Sequence, residues 1–464
     1  MDTKKLRQKI LDLAIHGKLV AQDPNDEPAS VLLERIRAEK ERLVKEGKIK
    51  KSKASKTSDT PHYENVPFEV PSSWEWCKLG DLVSFLGGFA YKSNTYVSSS
   101  DWQVIRIGNI KNDNLILDSQ PVFVSEEIGN STRKYLIKTN DILFSMTGTK
   151  GKRDYFFSVV VPELNRNLLL NQRVGCLRKI SKDIDIYFLC LVLKGQYVLD
   201  AIFSTETGNV SQGNIGSEST LNLNIALPPL PEQKRVVKEV KRWFALIDEI
   251  EQGKTDLQTI IKQTQSKILD LAIHGKLVRQ DPNDEPATEL LKRINPKAEI
   301  TCDNGHYQNL PKGWGICRLE NIIDYEQPTA YIVASTNYDD NYLVPVLTAG
   351  KSFIIGYTNE ENGIYSDLPC IIFDDFTTDS KLVDFPFKVK SSAMKILKVN
   401  PIIQIEYVAM YMSITRLIGD THKRYWISEY SKLEIPIPPR EEQNRIVSAV
   451  NKAFAQLDAI MESL

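Results

Sequence analysis

Side chains able to pair with nucleic-acid bases or phosphates gather at a few points of this sequence, each at the end of an apolar run. Arg and Lys pair with guanine edges, Asn and Gln with adenine, Ser and Thr with either, and loop cations also neutralise phosphates. Trp102–Ile110 alternates like a strand and closes on a turn, marking Arg106 and Asn109. Asp141–Thr149 has the same form, marking Ser145 and Thr147. It leads into Lys150-Gly151-Lys152-Arg153, three cations on a glycine-softened loop. Asn171-Gln172-Arg173 and Gly208–Asn214, with Gln212 and Asn214, complete the first group. Each alone also reads as a polar surface loop; their shared position at strand ends makes them a candidate contact surface.

A second region offers Thr348 and Lys351 in a Leu-Thr-Ala-Gly-Lys-Ser run, then Asp374 and Thr377, then Lys388 and Lys390. Asp374 and Asp375 are adjacent on a strand and so point to opposite faces, which argues against joint chelation of a metal. A cytosine amino group or a neighbouring Lys would suit one of them. His422-Lys423-Arg424-Tyr425-Trp426 is a basic–aromatic cluster containing Lys423 and Arg424. The Lys-rich 48–56 reads as a solvated linker in preference to a DNA arm.

Catalytic patterns are missing from the sequence. There is no GxxxxGK[ST] phosphate loop, no GxGxxG and no HExxH or HxxxH pair. No Pro is followed by Asp, which removes the simplest Pro-Asp…Glu-x-Lys nuclease pattern. Asp23-Pro24-Asn25-Asp26 and Asp281-Pro282-Asn283-Asp284 lack the second proline and the aromatic of an adenine-methyltransferase loop, and read as turns. No catalytic residue, metal site or cofactor is expected in this chain.

The 464 residues suffice for about two to four domains. Six cysteines without a CxxC pair favour reduced thiols and a cytoplasmic setting. No apolar run approaches the ~18–20 residues of a membrane span, and the charged, amphipathic N-terminus reads as a helix, not a signal peptide. The net charge of −1 argues against a self-sufficient DNA clamp. Either basic residues are concentrated locally or partner subunits share the duplex.

An internal repeat organises the chain. Residues 9–36 recur at 267–294 with differences only at 21, 30, 31 and 34, and 227–250 is echoed by 437–460. A weaker echo sets His62, Tyr63, Trp74, Cys77 and Leu79 against His306, Tyr307, Trp314, Cys317 and Leu319. The stretches between, about 75–225 and 315–435, look little alike. This order predicts a cyclic pseudo-twofold in which the chain ends meet to rebuild a copy of the middle; tandem duplication is not expected to divide one spacer between the termini.

The repeats read as helices. Val240, Trp243, Ile247, Ile250, Leu257, Ile261, Ile268 and Leu271 follow alternating three- and four-residue steps, a coiled-coil seam interrupted by Lys254 and Thr264. Proline at 228–231 marks the start, and Gly275, like Gly17, the stop. A helix over 232–273 would run roughly 60 Å at about 1.5 Å per residue. Its partner would be an antiparallel spacer built from 441–464, with Phe454 and Leu457, and 3–15. The repeats either only hold distance or also dock partners; their near-identity favours docking, because helix packing alone tolerates many substitutions.

The expected fold is α+β: two mixed α/β recognition domains separated by two long antiparallel helical spacers. The divisions are 1–60 N-terminal spacer and linker, 61–226 first recognition domain, 227–300 central spacer, 301–436 second recognition domain and 437–464 C-terminal spacer.

In the order KILDLAIHGKLV, VIRIGNI, DILFSMTGT, LLLNQRVGCLR, GNVSQGNI, LPPLPEQKRVV and IPPREEQNRIV, the chain resembles the specificity subunits of type I restriction–modification systems over essentially its whole length. The resemblance implies two target-recognition domains reading halves of a split site on double-stranded DNA. It implies two methyltransferase subunits docked on the spacers, using S-adenosylmethionine, and restriction subunits using ATP and Mg for translocation. It also accounts for the missing catalytic motifs and the low net charge. The second region lacks clear equivalents of VIRIGNI and LNQRVG. The alternative is a solitary DNA-binding protein or the specificity module of a modification-only methyltransferase.

Overall fold

Ile142–Ser145 is buried at all four positions, as a strand covered on both faces must be. In the computed structural model it lies inside a four-stranded antiparallel sheet of order Ser158–Val160, Ile142–Ser145, Val174–Lys179, Val83–Gly87. The structure describes residues 2–49, 66–163, 165–209, 211–307, 309–348, 352–417 and 424–464. These divide into two units, Met1–Gln252 and Gly253–Leu464.

In the first unit a second sheet runs Asn167–Leu170, Trp102–Ile105, Phe123–Val124, Tyr96–Val97, its first two strands parallel. A neck of two antiparallel strands, Glu75–Lys78 with Asn224–Leu227, sets Cys77 opposite Ile225 and closes the globular part. The short helices Ile186–Val192 and Gln196–Phe203 pack Phe188, Leu189, Val198 and Ile202 into the core beneath it.

The second unit repeats this plan with different residues. Its neck pairs Gly315–Arg318 with Glu434–Ile437, Cys317 opposite Ile435. Its main sheet runs Ser380–Val383, Cys370–Asp374, Met394–Val399, Ile323–Glu326. Its second sheet runs Lys388–Val389, Val344–Leu347, Ile354–Thr358, again with the first pair parallel. The missing equivalents of VIRIGNI and LNQRVG are therefore present as topology: Val344–Leu347 stands where Trp102–Ile105 does, and Lys388–Val389 where Asn167–Leu170 does. Strand order is kept by backbone pairing and burial, which many sequences satisfy, so the match is invisible to the eye reading residues.

The helices are long where the periodicity requires. Leu230–Ile273 is one helix of 44 residues with Gly253 inside it. In the first unit Thr3–Ile15 lies antiparallel to its early part, Arg7 pairing with Asp248 and, at 3.1 Å, with Glu251. In the second unit Arg440–Ser463 lies antiparallel to its later part, Gln265 donating to Asp458 at 3.1 Å and Lys254 to the Leu464 carbonyl. Each unit thus holds its own copy of both repeated segments, so repeating one such set in tandem also yields the observed order.

The expected seam needs correction. Val240, Ile247 and Ile261 are at most 2% exposed, but Trp243, Ile250 and Leu257 are 36–38% exposed, while Ile268, Leu271, Phe454 and Leu457 are half-buried. Apolar positions are fully covered towards the helix ends, at Val236, Val237, Val240 and Ile247 and at Ile261, Leu269, Ala272 and Ile273, and not as one continuous two-position seam.

The near-identity of the repeats has an internal cause. Gly17, at φ 67°, ends the first helix and lies against Pro71 and Trp74; Gly275, at φ 64°, does the same against Pro311 and Trp314. The Trp74 indole donates to Glu232 at 2.9 Å, Gln22 donates to the same carboxylate at 2.8 Å, and Arg235 pairs with Asp26 at 2.7 Å. In the second unit Trp314 and Gln280 hold Glu442 at 3.1 and 3.0 Å, and Arg445 pairs with Asp284 at 2.6 Å. Asn25 and Asn283 close their Asp-Pro turns on Asp23 and Asp281 at 2.9 Å. A buried carboxylate stripped of one hydrogen-bond donor costs about 1–3 kcal/mol. Such a network constrains each member, whereas an apolar seam does not. Burial pushes Glu232 and Glu442 above the usual glutamate range, against the downward pull of these hydrogen bonds.

Candidate nucleic-acid interface

In the first unit the polar loops converge at one edge. The end of the central strand donates and accepts along its length: Met146 N donates to the Arg173 carbonyl at 3.1 Å and Ile215 N to the Met146 carbonyl at 2.9 Å. Immediately beyond, Thr147–Gly148, Gln212–Asn214 and Thr207–Asn209 form a three-stranded sheet. The 147–153 loop, the 171–173 turn and the 207–214 hairpin, far apart in sequence, thus share one edge.

Several predicted contact residues prove to be built into the protein. Asn109 is buried, its Oδ1 accepting from Arg106 N and its Nδ2 donating to the Ile116 carbonyl, both at 2.8 Å. Ser145 is buried and its Oγ accepts from Phe157 N at 3.1 Å. Thr147 is buried at the start of the small sheet. These three shape the edge and offer little to a ligand. Arg106 is half-buried and donates to the Gln120 carbonyl at 3.0 Å; with Asn171, Arg173, Ser119 and Gln120 it lines an open cleft. Lys150, Lys152, Arg153, Gln172 and Arg173 are exposed, and Asn171, Gln212 and Asn214 half-exposed. Lys150 donates to the Gly208 carbonyl at 2.9 Å and Arg153 pairs with Asp200 at 2.6 Å, so only part of that cationic loop is free to meet phosphate.

Sequence reading missed what holds the turn 171–173. Phe89 N donates to the Leu170 carbonyl at 2.8 Å and Gln172 N to the Phe89 carbonyl at 3.0 Å. A Cβ on Gly88 would fall 2.1 Å from the Asn171 carbonyl oxygen, so only glycine allows this approach. The adjacent Gly87-Gly88 was the available signal. Asp141, buried, takes two bonds from Arg178 at 2.8 and 2.6 Å and fixes the start of the same strand.

A profile of the family described as "Type I restriction modification DNA specificity domain" matches residues 71–258. The Escherichia coli type I restriction enzyme EcoAI specificity subunit is 27% identical over 97% of this chain and 88% of its own length. The E. coli EcoEI specificity subunit is 30% identical over 69% of this chain and 62% of its own length. The chain is thus similar to type I specificity subunits, over nearly its whole length in the first of these relatives. The profile is described as a DNA specificity domain, and both relatives are named as specificity subunits of restriction enzymes. A chain solved in work on complex assembly and conformational transition of the type I R-M system has the same fold, at 16% identity, TM-score 0.59, 86% of this chain and 94% of that one.

Within this chain, the second unit builds its edge differently. Strand registers place Asp375 where the first unit has Met146, and Lys395 where it has Gly175. Tyr425 N donates to the Asp375 carbonyl at 2.9 Å, as Ile215 does to Met146, and Trp426 N donates to the Asp375 carboxylate at 2.8 Å. Lys395, 1% exposed, pairs with Asp375 at 3.4 Å. Asp374 caps its own turn, accepting from Phe376 N at 2.9 Å and from the Thr377 hydroxyl at 2.7 Å. Neither aspartate is offered to a cytosine.

Lys388 is also corrected: it is 4% exposed, pairs with Glu360 at 2.8 Å and donates to the Asn362 carbonyl at 2.6 Å. Lys390, Thr377 and Arg424 are exposed and Thr348 half-buried. Tyr425 and Trp426 belong to the core, so the aromatic half of the expected basic–aromatic cluster serves packing. Lys351, His422, Lys423 and most of 48–56 lie outside the described residues. Among the described residues no three His, Cys, Asp or Glu side chains form a metal-binding group, and no single helix is long and apolar enough to cross a membrane.

Proposed function

We propose that this chain reads a bipartite target on double-stranded DNA as the specificity subunit of a cytoplasmic type I complex, each unit addressing one half. The observation that carries the reading is the first unit's edge, where exposed Lys152, Gln172 and Arg173 stand beside the half-exposed Asn171, Gln212 and Asn214. Arg and amide side chains on a rigid edge suit base recognition, and the lysines suit phosphates. The net charge of −1 supports a shared grip, in which partner subunits supply part of the cationic surface.

Two methyltransferase subunits, using S-adenosylmethionine, would dock on the helical parts, and restriction subunits using ATP and Mg would join them. Exposed Trp243, Leu246 and Ile250 in the first unit, and Leu257, Ile260 and Ile460 in the second, support an apolar docking face.

The decisive experiment replaces residues 75–225 with the corresponding region of another family member and maps methylated adenines in a genome. One half of the methylated motif changes and the other stays. An unchanged motif overturns the proposal. Methylation by the isolated chain with S-adenosylmethionine, or tight specific DNA binding by it without partners, would instead identify a modification enzyme or a solitary DNA-binding protein.

A further inference from the structure

The first unit's edge contains one acid whose contacts all lead to the cationic loop. Glu206 follows the helix Gln196–Phe203 and immediately precedes the hairpin strand Thr207–Asn209. Its Oε1 accepts from the Tyr155 hydroxyl at 2.5 Å, and its Oε2 from Gly151 N at 3.1 Å. Gly151 sits at the tip of Lys150-Gly151-Lys152-Arg153, and Tyr155, 3% exposed, is that loop's anchor in the core against Phe203. The loop needs an anchor, because Gly151, Arg153 and Phe156 all have positive φ, at 76°, 52° and 65°. Left-handed backbone at two non-glycine residues is costly unless the surroundings fix it.

The hairpin closes over the same carboxylate. A Cβ on Gly213 would lie 2.1 Å from Glu206 Oε1, and Lys150 reaches back to the Gly208 carbonyl at 2.9 Å. One carboxylate therefore joins the tip of the cationic loop, its buried anchor and the hairpin bearing Gln212 and Asn214. A negative charge on a phosphate-facing edge opposes binding to any DNA. Its retention at the junction of three contact segments fits a gain in geometry, not in attraction.

We propose that Glu206 is the positioning residue of the first recognition edge, holding Lys150, Lys152 and the 207–214 hairpin in the one arrangement that discriminates sequence. This rests on the first unit being a DNA-reading head. Glu206→Ala removes both acceptors and lets the loop relax. Glu206→Gln keeps an oxygen for Gly151 N while its amide donates to the Tyr155 oxygen, so geometry survives without charge. Tyr155→Phe removes only the hydroxyl donor and keeps the ring.

The test uses the full chain assembled with methyltransferase subunits and compares methylation of the cognate site with sites altered in either half. Glu206→Ala should lower discrimination in the first unit's half by about tenfold, the scale of one charge-assisted hydrogen bond, with the other half unchanged. Glu206→Gln should restore discrimination and bind non-specific duplex more tightly at low salt. Tyr155→Phe should lie between and remains informative if the alanine variant does not fold. Full discrimination in Glu206→Ala or in Tyr155→Phe, or a glutamine variant as relaxed as the alanine one at equal melting temperature, overturns the inference. Arg173→Ala separates the two levels. If it too leaves the motif unchanged, the reading of this edge fails; if it alone relaxes the motif, only the role of Glu206 fails.

Discussion

The two units share a frame and differ at the edge it carries. The neck strands recur with the same pairing, the contact lengths of the Trp–Glu–Gln cluster and the Arg–Asp pair agree within a few tenths of an ångström, and both main sheets have the same strand order. At the strand end that faces the loops, Met146 and Gly175 of one unit become Asp375 and Lys395 of the other. The first unit then extends into a three-stranded sheet beside Glu206, whereas the second buries an ion pair that fastens Tyr425 and Trp426. A common scaffold thus tolerates two unrelated edges, because strand pairing is a backbone property and the buried strand end is satisfied either by apolar packing or by a matched charge pair.

Breaking the buried pair should give the largest effect. Lys395→Met leaves Asp375 buried without its counter-charge and should cost about 3–5 kcal/mol in a denaturant melt, while pairing it with Asp375→Asn should recover much of that loss. At Gly175, its counterpart, the constraint is steric and not electrostatic, since a Cβ there would fall 2.3 Å from the Phe144 ring. A single variant that melts like the parent chain would show that the pair is not the second edge's foundation.

Gly88→Ala sharpens the other side. The new methyl meets backbone at 2.1 Å and cannot be relieved by a side-chain rotation, so about 1–3 kcal/mol and loss of the first half of the target are expected. Retained half-site methylation would refute the importance of that close approach.

The shared frame predicts equality. Trp74→Phe and Trp314→Phe each remove one donor from a buried carboxylate and should cost the same, about 1–3 kcal/mol, in the two units. Unequal losses measured by thermal unfolding would show that the matched geometry hides different packing.

The smallest effect is in pH. Burial raises Glu232 and Glu442, so the folded chain holds their protons more tightly than the unfolded one. The stability this contributes is complete below the unfolded value and is lost as pH rises through the raised, folded value. Glu232→Gln should flatten that decline in a series of melts across the mildly acidic range, and Glu442→Gln likewise; an unaltered slope would contradict the assignment.

Much of the frame was legible in residues: the duplicated segments, the helix stops at Gly17 and Gly275, the turns at Asp23 and Asp281, and the strand runs at 102 and 142 all rest on local backbone preference and periodicity. The edge was legible only in outline. Residue type put Asn109, Ser145, Asp374 and Lys388 among the contacts, and packing turned them inward, where each satisfies a backbone group or a buried charge. Glu206 carried no signal, since an acid beside a strand is ordinary until a loop some fifty residues away is brought to it.

By itself the sequence determined that the chain is built twice over and that its cations and amides sit at strand ends, because those properties are written in order and spacing. Which of those side chains remain available, and how the second unit reproduces the first without resembling it, was decided by tertiary structure. Burial and hydrogen-bond satisfaction depend on which segments folding packs around a side chain, and residue type alone does not encode that.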